Sequence, residues 1–328
     1  MSRKQIVLAL KLAITAAAII FLYLTEKLQL TQLRILPAGQ FWIPVAGFLV
    51  LLLMATAQIR FWLLLRSAGV NVRAWRVVRA GAISWFLNAC LLGGLGFLSG
   101  DAIRIGYLMR ESDNLSAIVG AALLDRIMGL LGLLTLAAFG LVIGHRAGLH
   151  EAELGFLPAI VYSLVIAGLA TAVALLAMRR WGWPPQLKSF LENCGGKSGV
   201  VAFAISTGSA LSLYRGDTLT KVSAYAAAIM GHCLAVLAIF ALGHGIAIDA
   251  IPSIGHVVFA APIAFLTTIL PLPGNGIGVG EVAFDSALRL MPDTAGAGMV
   301  GGAALYLSYR ILTTVMALIG LPLFLRSR

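Results

Sequence analysis

The stretch LPLPGNGIGVGE, residues 270–281, interrupts a long apolar segment with two prolines, four glycines and an asparagine, and it ends on Glu281. It is either a surface loop between two helices or a break in a helix at membrane depth. Lipid cannot satisfy unpaired backbone groups, so a broken helix persists there only where protein or a water-filled cavity does so. The composition of the rest of the chain decides between the two.

The composition is that of a membrane protein. Of the 328 residues, 60% are hydrophobic and 11% are charged, with a mean hydropathy of +0.97, whereas an average soluble domain is about 25% charged. A soluble fold of this size cannot bury so much apolar surface. The chain is therefore predicted to be an all-α polytopic membrane protein, with residues 1–328 forming a single integral membrane domain.

The net charge of +11 does not indicate nucleic-acid binding. The basic residues cluster at the ends of apolar runs, in RSAGVNVRAWRVVR (66–79), MRRW (178–181) and the C-terminal RSR. Clusters in these places follow the positive-inside rule and face anionic lipid head groups. Nucleic-acid binding would instead require a basic face on a soluble fold.

Full-length membrane spans are predicted at six places. They are about 5–24, 41–65, 115–143, 156–178, 221–242 and 297–325. The loop at 66–79, after the second span, carries four arginines and is therefore predicted to be cytoplasmic. With six spans, both termini then lie on the same, cytoplasmic side of the cell (inner) membrane. The arginines of 70–80 recur at helical spacing beside Val and Trp, which indicates an amphipathic interfacial helix. Segment 199–214 either crosses the membrane or lies flat on it.

Two apolar segments are broken by glycine or proline. These are 83–101 and 257–281, which end on Asp101 and Glu281. Both are predicted to be re-entrant hairpins. With their flanking spans they predict an inverted repeat, with units at about 41–143 and 221–325. Paired interruptions in two halves indicate a transporter's binding site, although Gly and Pro are also common in membrane helices by chance.

Charged side chains inside apolar segments are the candidate functional residues, because each costs about 3 kcal/mol to insert. Arginine suits a phosphate ligand, since its planar fork makes two parallel hydrogen bonds. Acids and arginines from both halves are predicted to form one polar midplane site. The alternative is that they are salt bridges and helix caps. With three residues of the second break, the predicted site comprises Asp101, Arg104, Asp125, Arg126, Asn275, Gly276, Gly278, Glu281 and Arg310.

Other motifs predict neither a metal nor a cofactor. His232 has no second His or Cys at ligand spacing, so we expect a packed helix histidine. The glycine-rich segments lack the GK[ST] of phosphate loops and follow no βαβ pattern, which argues against nucleotide binding. Lys11 and Arg60 lie near span ends, where we expect their charges to reach the interface.

Four stretches carry a family resemblance. They are GGLGFLSGDAIRIGYLMR, LLDRIMGLLGLL, PGNGIGVGEVAF and LSYRILTTVMALIG. In this order they resemble the membrane region of lysylphosphatidylglycerol synthases, the flippase-like family. The resemblance implies a protein that moves or handles a polar lipid, and its motifs include Asp101, Arg104, Asp125, Arg126, Glu281 and Arg310. The chain departs from it in lacking a proline before the first glycine-rich break. The soluble aminoacyl-transferase domain of the full synthases is absent here, so lipid aminoacylation is not expected.

The leading functional hypothesis is a lipid translocase, not an enzyme, for an anionic or aminoacylated phospholipid or a polyprenyl phosphate. One alternative is a membrane enzyme acting on a lipid phosphate, with Asp125 or Glu281 as the base. Another is an accessory subunit of a lipid-modifying enzyme or a glycosyltransferase. A lipid-synthesis enzyme is a possible partner under the first and third hypotheses. The lipid and the oligomeric state are left open by the sequence.

Overall fold

The computed structural model describes residues 39–89, 98–112, 114–149, 163, 218–246, 251–267, 279–291 and 301–327. Within these ranges the regular structure is helical. The helices are α1 (Gly39–Ser67), α2 (Ala74–Leu87), α3 (Leu98–Leu108), α4 (Leu115–Arg146), α5 (Thr218–Gly245), α6 (Ile254–Thr267), α7 (Val279–Leu290), α8 (Gly302–Ala317) and α9 (Gly320–Leu325). The predicted all-α class is confirmed.

Four stretches are long and apolar enough to cross a membrane. They are Gly39–Ser67, Leu115–Arg146, Leu219–Gly245 and Gly302–Leu325, and each exceeds the about 20 residues that a span requires. They coincide with four of the six predicted spans. The other two, 5–24 and 156–178, lie outside the described residues, as does segment 199–214.

The outward surface of these spans is apolar. Phe48, Ile59, Phe139 and Met230 are 52 to 60% exposed. Large exposed apolar side chains of this kind are unfavourable in water and favourable against lipid hydrocarbon. The protein is therefore a multi-pass membrane protein.

The two interrupted segments form two pairs of short helices. The helices α2, α3, α6 and α7 have 14, 11, 14 and 12 residues, too few to cross about 30 Å of hydrocarbon alone. Within the first pair the chain reverses, since Ser84 contacts Gly100 while Arg76 forms an ion pair with Glu111. The re-entrant position of these pairs in the membrane stays a prediction.

The boundary of the first pair differs from the predicted one. The amphipathic stretch 70–80 is not a separate helix, because α2 begins at Ala74 and continues to Leu87. Val77, Ala80 and Ile83 are all buried and follow one another at helical spacing, so one apolar stripe runs through both predicted segments. The interfacial helix and the first arm of the hairpin are one helix.

Contacts between the halves occur in corresponding pairs. The first spans, α1 and α5, pack along each other. The last span of the first half, α4, packs on α6, and the last span of the second half packs on α2 through α8 and α9. The last span of each half therefore packs on the first short helix of the other half. The predicted repeat, about 41–143 and 221–325, would place these contacts in equivalent positions, and it stays a prediction.

Glycine makes two of these contacts possible. A Cβ on Gly140 of α4 would lie 2.8 Å from the carbonyl oxygen of Val258 in α6. A Cβ on Gly320 of α9 would lie 2.1 Å from the carbonyl oxygen of Ala82 in α2. Small residues allow membrane helices to approach this closely, so a larger residue at either position would separate the helices.

Candidate functional site

The first cluster of charges begins where α3 starts. Asp101 lies in the first turn of α3, the helix end at which a carboxylate is stabilised by the exposed N–H groups and the helix dipole. Arg104 lies three residues later, on the same face. Its Nη2 donates to Asp101 Oδ1 at 2.9 Å. The predicted position of Asp101 at the restart of a helix is where the structure places it.

Asp125 of α4 connects three helices. It accepts a hydrogen bond from Arg60 Nε of α1 at 2.6 Å and one from Arg104 Nη2 of α3 at 3.2 Å. All three side chains are at most 13% exposed. Two guanidinium groups compensate the burial of this carboxylate, as a charge at this depth requires.

Arg126 extends the cluster outward. Its Nε donates to Asp101 Oδ2, so Asp101 is bonded to Arg104 and Arg126 together. The side chain of Arg126 is 36% exposed, whereas that of Arg104 is 7% exposed. Arg126 is therefore the arginine of this cluster that has more room to contact a ligand.

The charged cluster lines a cavity of about 530 Å³, within the range of ligand pockets, about 300 to 1,000 Å³. The cavity is lined by α1, α2, α3, α4, α5, α6 and α8, so both halves contribute. Its charged lining residues are Arg60, Asp101, Arg104, Asp125 and Arg126. Three guanidiniums against two carboxylates leave one net positive charge among the described lining residues.

Apolar and aromatic groups form the remaining walls. They include Leu53, Leu130, Ala228 and Phe265. The guanidinium carbon of Arg104 lies 3.6 Å from the ring centroid of Phe61, a cation–π contact that fixes its plane. The Nε of Arg104 is buried and has no described hydrogen-bond partner. The cavity thus combines oriented charges with apolar surface.

The second half contains a similar but smaller group. Glu281 lies in the first turn of α7, as Asp101 does in α3. Arg310 of α8 donates through Nη1 to both oxygens of Glu281, at 3.2 and 3.5 Å. In each half, a carboxylate at the start of the second short helix is bonded to an arginine of the span that follows.

The second group, Glu281 and Arg310, is not among the described lining residues of the polar cavity. The ring of Tyr306 lies 5.7 Å from the Arg310 guanidinium carbon and contacts the rings of Phe265 and Tyr309, which do line the cavity. Aromatic rings therefore lie between the second pair and the described wall of the cavity. The predicted single site, with both arginines facing one cavity, stays a prediction.

Of the other predicted site residues, four are described by the structure and three are not. Asp101, Arg104, Asp125 and Arg126 come together, as predicted. Asn275, Gly276 and Gly278 lie outside the described residues.

Two further residues belong to the cavity. Arg60 was expected to reach the interface, but it is buried against Asp125. The sequence around Arg60 carries no signal of this pairing. His232 donates from Nε2 to the Gly129 carbonyl at 2.9 Å, as expected of a packed helix histidine, and it also lines the cavity.

An apolar groove of about 160 Å³ adjoins the polar cavity. It lies between α1, α2 and the last span and is lined by residues such as Leu51, Met54, Val78 and Ile319. Trp85 lines both the groove and the cavity. The polar cavity and the apolar groove therefore share one wall residue.

Comparison with known proteins gives one family. The family model described as "Lysylphosphatidylglycerol synthase TM region" matches residues 8–320. Neither the comparison with curated proteins nor that with solved structures gives a match.

Proposed function

Because the chain belongs to the lysylphosphatidylglycerol synthase transmembrane-region family, which is associated with lipid, we propose that it translocates a charged phospholipid. The head group would bind in the polar cavity, and its phosphate would contact Arg126. The observation that carries this proposal is a cavity among membrane-spanning helices with three arginines and two carboxylates.

The net positive charge of the described cluster supports an anionic ligand. Guanidinium groups bind phosphate through two parallel, charge-assisted hydrogen bonds. Arg60 and Arg104 are engaged by Asp125 and are deeply buried, so they position the carboxylates. Arg126 is the most exposed of the three. A phosphate would either replace Asp101 as the partner of the Arg126 guanidinium or bind to it beside Asp101.

The adjoining groove supports a ligand with an acyl chain. A phospholipid must place its polar end in the cavity while its chains stay in an apolar environment. The groove, which Trp85 also lines, supplies such an environment. A small soluble anion would occupy the polar cavity and would have no need of the groove. A groove that shares the wall residue Trp85 with the cavity therefore favours a lipid over a small ion.

The enzyme alternative has less support. A general base must be free to contact the proton that it takes, whereas both oxygens of Asp125 accept hydrogen bonds from arginines. Arg310 likewise donates to both oxygens of Glu281. No described geometry favours the accessory-subunit alternative.

The test is lipid movement in vesicles that contain the purified protein. A panel of head-group-labelled lipids, including phosphatidylglycerol, lysylphosphatidylglycerol and phosphatidylcholine, would be followed by accessibility to an impermeant quencher. We expect accelerated movement of at least one charged lipid, and its loss in Arg126→Gln. Arg146→Gln is the matched control, since Arg146 is exposed at the end of the same helix. Movement of no lipid above protein-free vesicles would refute the proposal.

A further inference from the structure

A second basic site lies at the other end of the α2–α3 pair. Four arginines line a cleft of about 450 Å³: Arg76 and Arg79 of α2, Arg110 just after α3, and Arg326 near the C-terminus. Trp85, which lines the polar cavity, is six residues beyond Arg79 on the same helix, about 9 Å along its axis. The cleft is therefore separate from the polar cavity.

The charge of the cleft is strongly positive. Glu111 is the sole carboxylate among its described lining residues, and it forms an ion pair with Arg76. Four guanidiniums against one carboxylate leave a charge of about +3 on these residues, which would repel one another in the absence of an anion.

The walls of the cleft are held together by hydrogen bonds. Arg79 Nη2 donates to the Arg326 carbonyl at 3.2 Å. The hydroxyls of Tyr107 and Ser327 are 3.0 Å apart, and the Arg110 guanidinium carbon lies 5.3 Å from the Tyr107 ring centroid. Three segments that are distant in sequence are thereby fixed around one concave surface.

This arrangement goes beyond the basic residues that the positive-inside rule places at a span end. Arg66 and Arg73 belong to the same loop and are exposed, but neither lines the cleft. Trp75, at the rim, is 61% exposed, as is usual for tryptophan at the level of lipid head groups.

We propose that the cleft is a second anion site, which binds a group carrying two or more phosphate charges. Such a group can come from a lipid head group at the interface or from a soluble phosphorylated compound. Several arginine forks match several phosphate oxygens bidentately, and the volume is that of a ligand pocket, about 300 to 1,000 Å³. Binding here does not require Arg126 or lipid translocation.

The two sources are separable by binding measurements on the full-length protein. The protein would be placed in phosphatidylcholine nanodiscs with or without cardiolipin, which carries two phosphates, and retained lipid would be counted by native mass spectrometry. In a second arm, inorganic pyrophosphate would be titrated against the protein in phosphatidylcholine alone. Retained cardiolipin assigns the lipid source, and pyrophosphate binding alone assigns the soluble source.

The matched variants are Arg79→Gln and Arg73→Gln, which remove the same charge from the same region. We expect Arg79→Gln to weaken binding about tenfold, as loss of a charge-assisted hydrogen bond does, and Arg73→Gln to leave it unchanged. Arg110→Gln, at the exposed rim, replaces Arg79→Gln if that variant does not fold. Arg126→Gln should retain binding. Equal weakening by Arg73→Gln, or binding of neither probe by the wild type, would overturn the proposal.

Discussion

The two halves place the same kind of ion pair in different surroundings. In the first half, Asp101 is bonded to Arg104 and Arg126 and belongs to a five-residue cluster that lines a cavity. In the second half, Glu281 is bonded to Arg310 behind packed aromatic rings. The same charge pattern therefore has different neighbours in the two halves. We expect the first pair to bind a ligand and the second to hold α7 against α8.

The largest effect is expected at the centre of the first cluster. Asp125→Asn leaves the buried guanidiniums of Arg60 and Arg104 without their shared carboxylate. Removing one partner from a buried ionic group costs about 3 to 5 kcal/mol. We expect a marked loss of folded protein, measured by size-exclusion chromatography of the detergent extract after heating. If Asp125→Asn melted like the wild type, the cluster would not be needed for stability.

The next prediction distinguishes Arg126 of the first half from Arg310 of the second half. Arg126→Gln should reduce lipid movement at least about tenfold with little change in stability, since Asp101 keeps its bond to Arg104. Arg310→Gln should lower stability by about 1 to 3 kcal/mol, because Arg310 is only 15% exposed.

Both variants would be measured for melting and for lipid movement on the same purified sample, with activity expressed per folded molecule. If Arg310→Gln keeps its stability and loses movement as completely as Arg126→Gln, the second pair also belongs to the binding machinery. The comparison between the halves would then be wrong.

A smaller effect is expected at Glu281. Glu281→Gln keeps the shape and an acceptor oxygen for Arg310 but removes the charge at the start of α7. A charge at a helix N-terminus contributes about 1 kcal/mol, so a modest fall in melting temperature with normal lipid movement is expected. Impaired movement at normal stability would instead assign Glu281 to substrate binding.

The smallest effect is expected at the exposed pair on α7. Arg289 donates to Asp285 at 2.7 Å, but its side chain is 55% exposed. Pairs of this kind contribute about 0 to 1 kcal/mol. Arg289→Gln should therefore match the wild type in melting and in lipid movement. A larger fall than that of Arg310→Gln would show that burial does not rank these ion pairs.

The spans and the helix restarts were predictable from the sequence because they depend on local properties. Apolar length indicates a span, and a carboxylate directly after a glycine-rich break indicates a helix start. Asp101 and Glu281 accordingly lie in first turns. The joining of 70–80 to the first short helix was missed, because the arginines suggested a surface helix while the buried stripe continued to Leu87.

The partners of the charges were less predictable, since they depend on how distant segments pack. Arg60 and Asp125 are 65 residues apart, and nothing in the run around Arg60 distinguishes a paired arginine from one that reaches the interface. The packing of Tyr306, next to Arg310, against the cavity residue Phe265 is a second contact of this kind. Sequence spacing identifies neither contact.

The two glycine contacts bear on how the halves can move. At Gly140 and Gly320, a backbone carbonyl oxygen of the facing helix lies close to where a Cβ would be, so neither position places a side chain of its own between the helices. Small sliding of packed helices, the displacement termed shear, keeps such close contacts together. If the cavity opens by displacing one half relative to the other, we expect α4 to translate over α6 and α9 over α2. A hinge would instead have to pull these close contacts apart.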